Sequence, residues 1–315
     1  MAKASKPRAG SLQFWPRKRA EKLLPSVNWT AIKSGKDEGI LGFITYKVGM
    51  ASAVVKDDTM HSMIKGKKVI VPVTILEAPN MKIYSVRFYK DGKVLKDIVV
   101  SNDKDLRRAI SAVPKTLGTL DKAPEGFDDI RIIVYSIPSQ TSVKKTPDLI
   151  ELAINAKDKL GFVKNYVGKE MSFKDFLKFN LLDVRGLTTG KGLVGPVKRF
   201  GITLKQHKSE KGVRRPGSLA PWHPARVTFR TPMAGQLGMF SRVHYNLNLI
   251  HSGMISEKDI NPSSGFKHYG KVRSNYIIVK GSVQGPPKRQ ILLTPSFRPT
   301  KMQGKKKYEF QELLQ

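Results

Sequence analysis

Cysteine is absent from the 315-residue chain, which excludes disulfides, cysteine-based zinc sites and a thiol nucleophile. Acidic residues are few: 25 Asp and Glu stand against 57 Lys and Arg, for a formal net charge of +32. The sequence also lacks an apolar run of about 18 residues, an amphipathic basic helix and the apolar core of a signal peptide. These absences predict a cytoplasmic protein with no membrane partner.

The excess of positive charge is unevenly distributed. Residues 37–184 hold 24 basic and 19 acidic side chains, whereas residues 1–36 hold nine basic side chains and one acid, Glu21. Residues 185–230 hold eleven basic side chains and one acid, Glu210. A surface this basic repels itself unless an anionic partner neutralises it, and nucleic acid is the first such partner to consider. The two segments almost free of acids therefore predict nucleic-acid binding.

The sequence GKGLVG at residues 190–195 fits the G-x-G-x-x-G pattern of a dinucleotide-binding turn. That fold requires a helix after the glycines and an acid at the end of a second apolar strand. The following stretch has no helical period, and its one acid, Glu210, lies within a basic run. A P-loop is excluded because three residues separate Gly186 from Gly190, where the motif has four, and Gly192 replaces its Ser or Thr. Glycines among lysines and arginines instead suit a chain pressed against a phosphate backbone.

Residues 1–36 resemble an extended arm rather than a folded segment. They combine Pro, Gly, Ser and basic residues with Phe14, Trp15 and Trp29, and such a composition cannot bury enough apolar surface to fold alone. The arm is expected to become ordered on a partner, with its charges on phosphates. For Trp15 and Trp29 two interpretations stay open: contact with bases or a partner's pockets, and anchoring on the protein's own core.

Apolar periodicity predicts the regular elements of the chain. The predicted strands are 39–55, interrupted by a turn near Gly49, then 68–78, 83–101, 128–138, 242–253, 271–283 and 285–297. The Asp91-Gly92 pair predicts a hairpin turn. The predicted helices are 103–113, 146–162 with Thr146 as its cap, and 171–179 with Ser172 and Asp175 at capping-box spacing.

Strands near both ends of the chain flank a helical middle, and residues 185–240 show no regular period over a length too great for a plain loop. This order predicts a mixed β fold: a β-barrel closed by distant segments, with an α+β insertion and one long loop. The predicted division is a basic N-terminal arm (1–36), the first part of the barrel with the insertion (37–184), a long basic loop (185–240), returning barrel strands (241–300) and a basic C-terminal tail (301–315).

Several blocks of the sequence resemble a known family. They are GSLQFWPRKRA (10–20), GFITYKVGM (42–50), DVRGLTTGKGLVGPVKRFG (183–201), PWHPARVTF (221–229), MAGQLGMFSR (233–242) and GSVQGPPKRQILL (281–293). In this order and spacing they are similar to the universal large-ribosomal-subunit protein family L three, in its archaeal and eukaryotic form, over nearly the whole chain.

The resemblance implies a structural protein without enzymatic activity or a cofactor. It implies a translation-protein-type β-barrel on the subunit surface, with the arm and the long loop running into RNA. It also implies binding to 23S-type rRNA near its 3′ end, a role early in subunit assembly, and a loop tip that approaches the peptidyl transferase centre. The implied protein neighbours are L fourteen and L twenty-four e, and no homo-oligomer is expected.

A loop that threads RNA needs cations for phosphates, and Arg adds a planar fork that pairs phosphate bidentately and stacks on bases. The predicted rRNA-binding residues are Arg17, Lys18, Arg19, Lys191, Lys198, Arg199, Arg214, Arg215, Trp222, His223, Arg226, Arg230, Arg242, Lys288 and Arg289.

The segment PWHP is the most distinctive part of the loop. Pro221 and Pro224 stiffen the chain around Trp222 and His223, and a tryptophan in an acid-free basic run is not typical of a core. The family's matching tryptophan stands at the loop tip, so the resemblance implies that Trp222 stacks on RNA bases, a contact that contributes about 1–3 kcal/mol per base. His223 could bind a phosphate or a base, or stay neutral with its own partners.

Two modification sites are known in the family that this sequence resembles. Bacterial members methylate the glutamine of the motif that reads MAGQLG here, which implies a possible methylation of Gln236. Eukaryotic members methylate a histidine about twelve residues before the loop tryptophan. That position is Glu210 here, so the second modification is not expected.

The sequence is less consistent with two other functions. An RNA-modifying enzyme needs a positioned acid, base, nucleophile or metal, but the six histidines show no H-x-x-x-H spacing. The adjacent Asp128 and Asp129 are more typical of the start of a strand than of a proton-sharing pair. A non-ribosomal RNA-binding or RNA-chaperone protein would not need the long, nearly neutral insertion. The loop itself is expected to be disordered off the ribosome, since it has no apolar period and repels itself.

Overall fold

The computed structural model describes residues 7–32, 38–176 and 179–314. The chain forms two compact units. We call Met1–Glu21 with Leu187–Ser241 the loop unit, and Lys22–Gly186 with Arg242–Gln315 the sheet unit. Among the described residues the protein is mostly β, with fourteen strands and four short α-helices.

The strands are β1 (Gly39–Ile40), β2 (Phe43–Asp57), β3 (Lys68–Ala78), β4 (Met81–Lys90), β5 (Lys93–Val99), β6 (Asp129–Ser136), β7 (Leu149–Asn155), β8 (Leu181–Leu187), β9 (Leu193–Val194), β10 (Gly235–Gln236), β11 (Ser241–Met254), β12 (Asn275–Lys280), β13 (Gln290–Pro295) and β14 (Tyr308–Leu314). The helices are α1 (Lys159–Tyr166), α2 (Phe173–Phe176), α3 (Pro196–Phe200) and α4 (Lys301–Gly304). Short 3-10 turns occupy Trp29–Ala31, Lys104–Arg108, Leu120–Lys122 and Pro138–Gln140.

Six strands of the sheet unit form a closed series of hydrogen-bonded neighbours. Their order is β13, β8, β11, β12, β3 and β2, and β2 also pairs with β13. The long strand β2 closes the series because residues 43–46 pair with β13 while residues 46–56 pair with β3. Its second half also pairs with β14, which lies outside the series. Side chains such as Phe43, Ile75 and Tyr276 are fully buried, so the apolar faces of these strands supply much of the core.

The second sheet combines the four strands of the insertion between β3 and β8 with β1, which precedes β2 in the chain. Its order is β1, β7, β6, β4 and β5, with antiparallel pairs throughout. The Asp91-Gly92 turn is confirmed: the two residues join β4 to β5 with φ of 49° and 73°, the left-handed values that a two-residue hairpin needs. An ion-pair network joins Arg87 and Arg131 to Glu151 on this sheet, at 3.3 and 3.1 Å.

The predicted helix 146–162 is wrong over its first half. Residues Leu149–Asn155 form β7, which pairs with β6, and the helix α1 begins only at Lys159. Leu152 and Ile154 are buried in the core, so the apolar residues that fit a helical stripe fit a strand equally well, and the neighbouring strand decides between them. Asp158 caps α1, and its carboxylate accepts hydrogen bonds from the amides of Leu160 and Gly161.

Three other local predictions needed correction or refinement. The predicted turn near Gly49 is wrong, because β2 continues through it with a bulge that shifts its register against β3. The predicted helix 103–113 is only the 3-10 turn Lys104–Arg108. The predicted helix 171–179 is described as α2, with the Ser172 amide donating to the Asp175 carboxylate at 2.8 Å; residues 177–178 of that prediction lie outside the described residues.

Part of the predicted N-terminal arm belongs to the sheet unit. Leu24, Trp29 and Ile32 are buried in its core, so Trp29 anchors on the protein itself. Gly42 makes room for this anchor, since a Cβ there would lie 3.1 Å from the Trp29 ring and 2.6 Å from Leu152. Residues 1–6 and 33–36 of the predicted arm lie outside the described residues.

The segment predicted as a basic tail contains α4 and β14. The strand β14 pairs with β2 from Tyr308 opposite Asp57 to Leu314 opposite Ser52. Among the described residues, no helix has the length and apolar character that a membrane crossing requires.

Candidate nucleic-acid interface

The base of the loop unit is a backbone ladder. The strand β9 pairs with β10, the Lys191 amide donates to the Leu237 carbonyl at 2.9 Å, and the Leu237 amide donates to the Gly192 carbonyl at 2.9 Å. The Thr188 amide donates to the Phe240 carbonyl at 3.0 Å. The GKGLVG and MAGQLG motifs are therefore the two sides of one ladder, which carries the outgoing and the returning chain.

A glycine in the second motif is required by this ladder. Gly238 has φ of +79°, and a Cβ added there would lie 2.0 Å from the Thr189 carbonyl oxygen. A side chain cannot be accommodated at that distance, because the atom in its way is backbone. Of the GKGLVG glycines only Gly190 lies close to this returning chain, since a Cβ there would lie 3.0 Å from the Met239 side chain, whereas a Cβ at Gly192 or Gly195 would meet nothing within 4 Å of the described chain.

Aromatic and cationic side chains form a small cluster in the loop unit. The Trp15 ring stacks on the Phe200 ring with centroids 5.8 Å apart, and it lies 6.0 Å from the Phe229 ring. The Arg17 guanidinium lies 4.5 Å from the Phe200 centroid, within the range of a cation–π contact. Trp15 therefore packs within its own chain.

Arg199 sits at the centre of this cluster. Its guanidinium donates to three backbone carbonyls, those of Met233 at 2.9 Å, Gln236 at 3.0 Å and Arg17 at 3.2 Å. Burial lowers the pKa of Arg199, although an arginine stays charged in proteins. The geometry gives this residue a positioning role, because it joins the arm to both sides of the loop; its contact with RNA stays a prediction.

The helix α3 follows the GKGLVG motif but is only five residues long. It begins at Pro196, whose missing N–H is harmless at a first helical position. It ends at Gly201, which has φ of 66°, so the chain turns away after little more than one turn. Lys198 on this helix is exposed to solvent.

Most of the predicted RNA-binding side chains of the loop unit reach solvent. The exposed ones are Lys18, Arg19, Lys191, Lys198, Arg214, Arg215, Trp222, His223, Arg226 and Arg230. Arg17 and Arg199 are partly buried. The loop unit contains only two acids, Glu21 and Glu210, so its surface presents positive charge with almost no internal neutralisation.

Trp222 is the most exposed tryptophan of the chain. Its side chain is 89% exposed, and its ring meets the His223 ring edge-on at 6.3 Å. Backbone and side-chain hydrogen bonds shape the surrounding chain: the Arg226 amide donates to the Pro224 carbonyl at 2.7 Å, and the Thr231 hydroxyl donates to the Leu219 carbonyl at 2.7 Å. An indole displayed in this way can stack on a flat partner such as a base.

Comparison with known proteins assigns the family. The family model described as Ribosomal protein L3 matches residues 1–96 and 99–312. The chain belongs to the ribosomal protein L3 family. Among curated relatives, the large ribosomal subunit protein uL3 of Methanococcoides burtonii is 39% identical, covering 93% of this chain and 92% of the relative. The proteins of the same name from Methanococcus vannielii and Methanocaldococcus jannaschii are each 38% identical, covering 94% of this chain and 93% and 92% of the relative, respectively.

In this L3-family chain Gln236 is engaged by its own backbone. Its side-chain nitrogen donates to the carbonyls of Leu237 at 3.2 Å and Gly238 at 3.1 Å, and the residue is partly buried. Methylation of that nitrogen would remove one of its two hydrogens. Methylation would therefore remove at least one donor from the hydrogen bonds to the Leu237 and Gly238 carbonyls beside the ladder. The modification itself stays a prediction.

Three predicted residues lie in the sheet unit and form a separate group. Arg242 begins the β11 segment of this unit, while Lys288 and Arg289 follow the GSVQGPP turn. Burial lowers the pKa of Arg289. Lys47, a buried lysine of β2, donates to the Gly285 carbonyl at 2.8 Å and so holds this turn in place.

Sequence reasoning also left out some cations of the L3-family loop. Lys205, Lys208 and Lys211 are exposed in the loop unit, and the same acid-free run that singled out the arginines could have indicated them. The role of Lys47 had no signal in the sequence, because a lysine within an apolar strand is ordinarily assumed to point to solvent.

Proposed function

We propose that the chain is a structural component of the large ribosomal subunit and binds 23S-type rRNA near its 3′ end through the loop unit. The observation that carries this proposal is the charge and shape of that unit: exposed lysines and arginines, two acids, and an exposed Trp222. Cations on such a surface bind phosphates whatever the sequence, and the displayed indole adds stacking on bases. Membership of the L3 family supports the ribosomal context.

Further elements of the proposal follow from the family resemblance. The loop unit extends toward the peptidyl transferase centre with Trp222 near its tip, and the protein joins the subunit early in assembly. Proteins L fourteen and L twenty-four e are its neighbours, and its location is the ribosome in the cytoplasm. The closed six-strand series of the sheet unit supports the translation-protein type of β-barrel as the surface domain.

The first test is footprinting of the full-length protein on large-subunit rRNA, at moderate and at high salt, with wild type and Trp222→Ala. We expect discrete protection in the 3′ region that survives high salt. The variant should lose only the signals near the peptidyl transferase centre. Diffuse protection that vanishes at high salt would reduce the protein to a non-specific RNA binder, as the RNA-chaperone alternative requires.

A pair of charge-matched variants tests where the RNA binds. Arg214→Glu with Arg215→Glu changes the loop unit, and Lys93→Glu with Lys115→Glu makes the same change in net charge on exposed residues of the insertion. We expect the loop variant alone to weaken binding and to reduce the slope of log affinity against log salt by about two. Equal effects of the two variants would show that net charge, and not the loop unit, determines binding.

A further inference from the structure

The hairpin loop between β2 and β3 displays apolar side chains. Met60 is 72% exposed, Met63 is 96% exposed and Ile64 is 41% exposed. Single exposed apolar residues are ordinary, but three within five residues of one loop make it a candidate interaction surface. We call residues 58–67 the methionine hairpin.

The methionine hairpin is held in shape without its apolar side chains. The Asp57 carboxylate accepts hydrogen bonds from the Thr59 amide at 2.8 Å and the Ser62 hydroxyl at 3.0 Å. The Gly66 amide donates to the Asp57 carbonyl at 2.7 Å, and the Lys65 amide donates to the Ser62 carbonyl at 3.2 Å. Because polar groups build the loop, Met60 and Met63 are not needed for its folding.

A cleft lies beside the methionine hairpin within the sheet unit. The Asp58 amide donates to the Lys307 carbonyl at 3.0 Å, which fixes the hairpin against the segment before β14. The cleft has a volume of about 450 Å³, and its lining residues are Asp58, Met60, His61, Lys65, Lys305 and Lys307. This lining combines the apolar Met60 side chain with three lysines, one histidine and one acid, and so offers a place for a side chain of a partner.

The charges around the cleft indicate the chemistry of that partner. Lys65, Lys67, Lys305 and Lys307 are exposed, so an acidic partner is favoured. Of the side chains that RNA-binding surfaces stack on bases, residues 56–70 and 300–307 contain only His61 and no Arg, Phe, Tyr or Trp. A second copy of this chain would bring another net charge of +32 and be repelled.

We propose that the methionine hairpin, with Lys305 and Lys307, docks an acidic segment of another protein whose own apolar side chains cover Met60 and Met63. Flexible methionine side chains adapt to such a surface, while the lysines pair with the partner's carboxylates. This surface lies in the sheet unit and is chemically unlike the loop unit. The protein therefore has two interaction surfaces, one for RNA and one for protein.

Because the chain has no cysteine, one introduced cysteine gives a unique attachment point for a photo-crosslinker. Met63→Cys is labelled with benzophenone as the isolated protein, so that no cysteine of another protein reacts, and is then reconstituted into large subunits that lack the native copy. We expect a crosslink to a protein segment rich in Asp, Glu and apolar residues. A crosslink to rRNA alone, or no crosslink, would overturn the proposal.

Leu193→Cys, 84% exposed in the loop unit, tests the RNA-binding proposal separately by crosslinking to rRNA.

A solution assay isolates the contribution of the methionines. Full-length protein is titrated with a fluorescent peptide of Glu and Leu residues that presents one apolar face, and with a matched peptide in which Ser replaces every Leu. We expect the Leu peptide to bind about tenfold more tightly, and Met60→Ser with Met63→Ser to abolish that difference. Met50 is a 52% exposed methionine on β2, outside the methionine hairpin. Met50→Ser should therefore retain the difference in affinity between the two peptides. Equal binding of the two peptides by wild type, or equal losses in both variants, would contradict the proposal.

Discussion

Arg199 shows how one residue can hold distant parts of a chain together. Its guanidinium reaches three carbonyls, of Arg17, Met233 and Gln236, and lies 5.1 Å from the Phe200 ring. A planar fork can serve several acceptors at once, whereas an ammonium group on a flexible stem cannot do so with the same geometry.

We therefore predict that Arg199→Lys loosens the ladder of the loop unit although the charge is conserved. Hydrogen bonds that involve a charged group contribute about 1.5–3 kcal/mol each. The amides of Lys191 and Leu237 should exchange with solvent at least about tenfold faster. Lys198→Arg, at an exposed neighbouring position, is the control. Unchanged exchange at both amides in Arg199→Lys would contradict the positioning role.

His251 makes the stability of the sheet unit sensitive to pH. Its ring stacks on Phe310 at 4.7 Å. Burial, with the positive charge of Lys258, lowers the pKa of His251. A lowered pKa means that the unfolded chain binds this proton more readily, so the contribution is complete above the ordinary pKa of about 6.5 and is lost as the pH falls from there to the folded pKa.

The free energy of unfolding, measured by urea denaturation, should therefore decrease as the pH is lowered from about 7 to about 5. His251→Phe keeps a ring beside Phe310 and cannot be protonated. We expect this variant to have a flatter pH dependence over the same range. An identical slope in wild type and variant would show that His251 does not contribute to it.

At the scale of elements, the sequence predicted strands better than helices. The strand segments and the Asp91-Gly92 turn follow from alternation and turn chemistry, which are local. The region 149–155 became a strand because β6 lies beside it, and no local pattern reveals a neighbour. Two of the tryptophans show the same limit: Trp29 is 5% exposed and Trp222 is 89% exposed. Both lie in segments with a single acid, and only the flanking Pro221 and Pro224 set Trp222 apart in the sequence.

The candidate site was predictable in composition and not in arrangement. The acid-free runs indicated the exposed cations of the loop. The partners of Arg199 could not be inferred, because Arg17 lies 182 residues away in the sequence. The pairing of GKGLVG with MAGQLG could not be inferred for the same reason, because the two motifs are far apart in the sequence.

The ladder formed by these motifs gives a prediction at the element scale. Gly238→Ala places a Cβ against the Thr189 carbonyl and forces a positive φ on alanine, and should destabilise the ladder by about 2 kcal/mol or more. Gly195→Ala is the matched control, since its φ is −66° and a Cβ there meets nothing within 4 Å. Hydrogen exchange of the Thr188 and Lys191 amides measures the difference. Similar exchange in the two variants would show that the ladder tolerates a side chain at position 238.

At the scale of the whole molecule, charge of one sign is concentrated in the loop unit while carboxylates and cations pair on the insertion. The isolated protein carries its net charge of +32 without a partner, so self-repulsion should reduce its stability. The thermal midpoint should rise between about 10 and 150 mM sodium chloride, because the Debye length shortens from about 30 to about 8 Å.

A polyanion such as heparin should raise the thermal midpoint further at constant ionic strength, because it neutralises the clustered cations of the loop unit. The loop variant Arg214→Glu with Arg215→Glu should respond less to heparin than the variant Lys93→Glu with Lys115→Glu. A midpoint independent of salt and of heparin would show that self-repulsion is negligible in this protein.

The closure of β2 against β13 has a consequence for the order of events during synthesis. Residues 43–46 of β2 cannot pair with residues 290–293 of β13 until the latter are synthesised. Those residues leave the ribosome after almost the entire chain has been made. The loop unit is complete by residue 241, before β12 and β13 exist. A nascent chain therefore exposes its polycationic segment while strand edges of the sheet unit are still open, and those edges are prone to wrong pairing until the last strands are made.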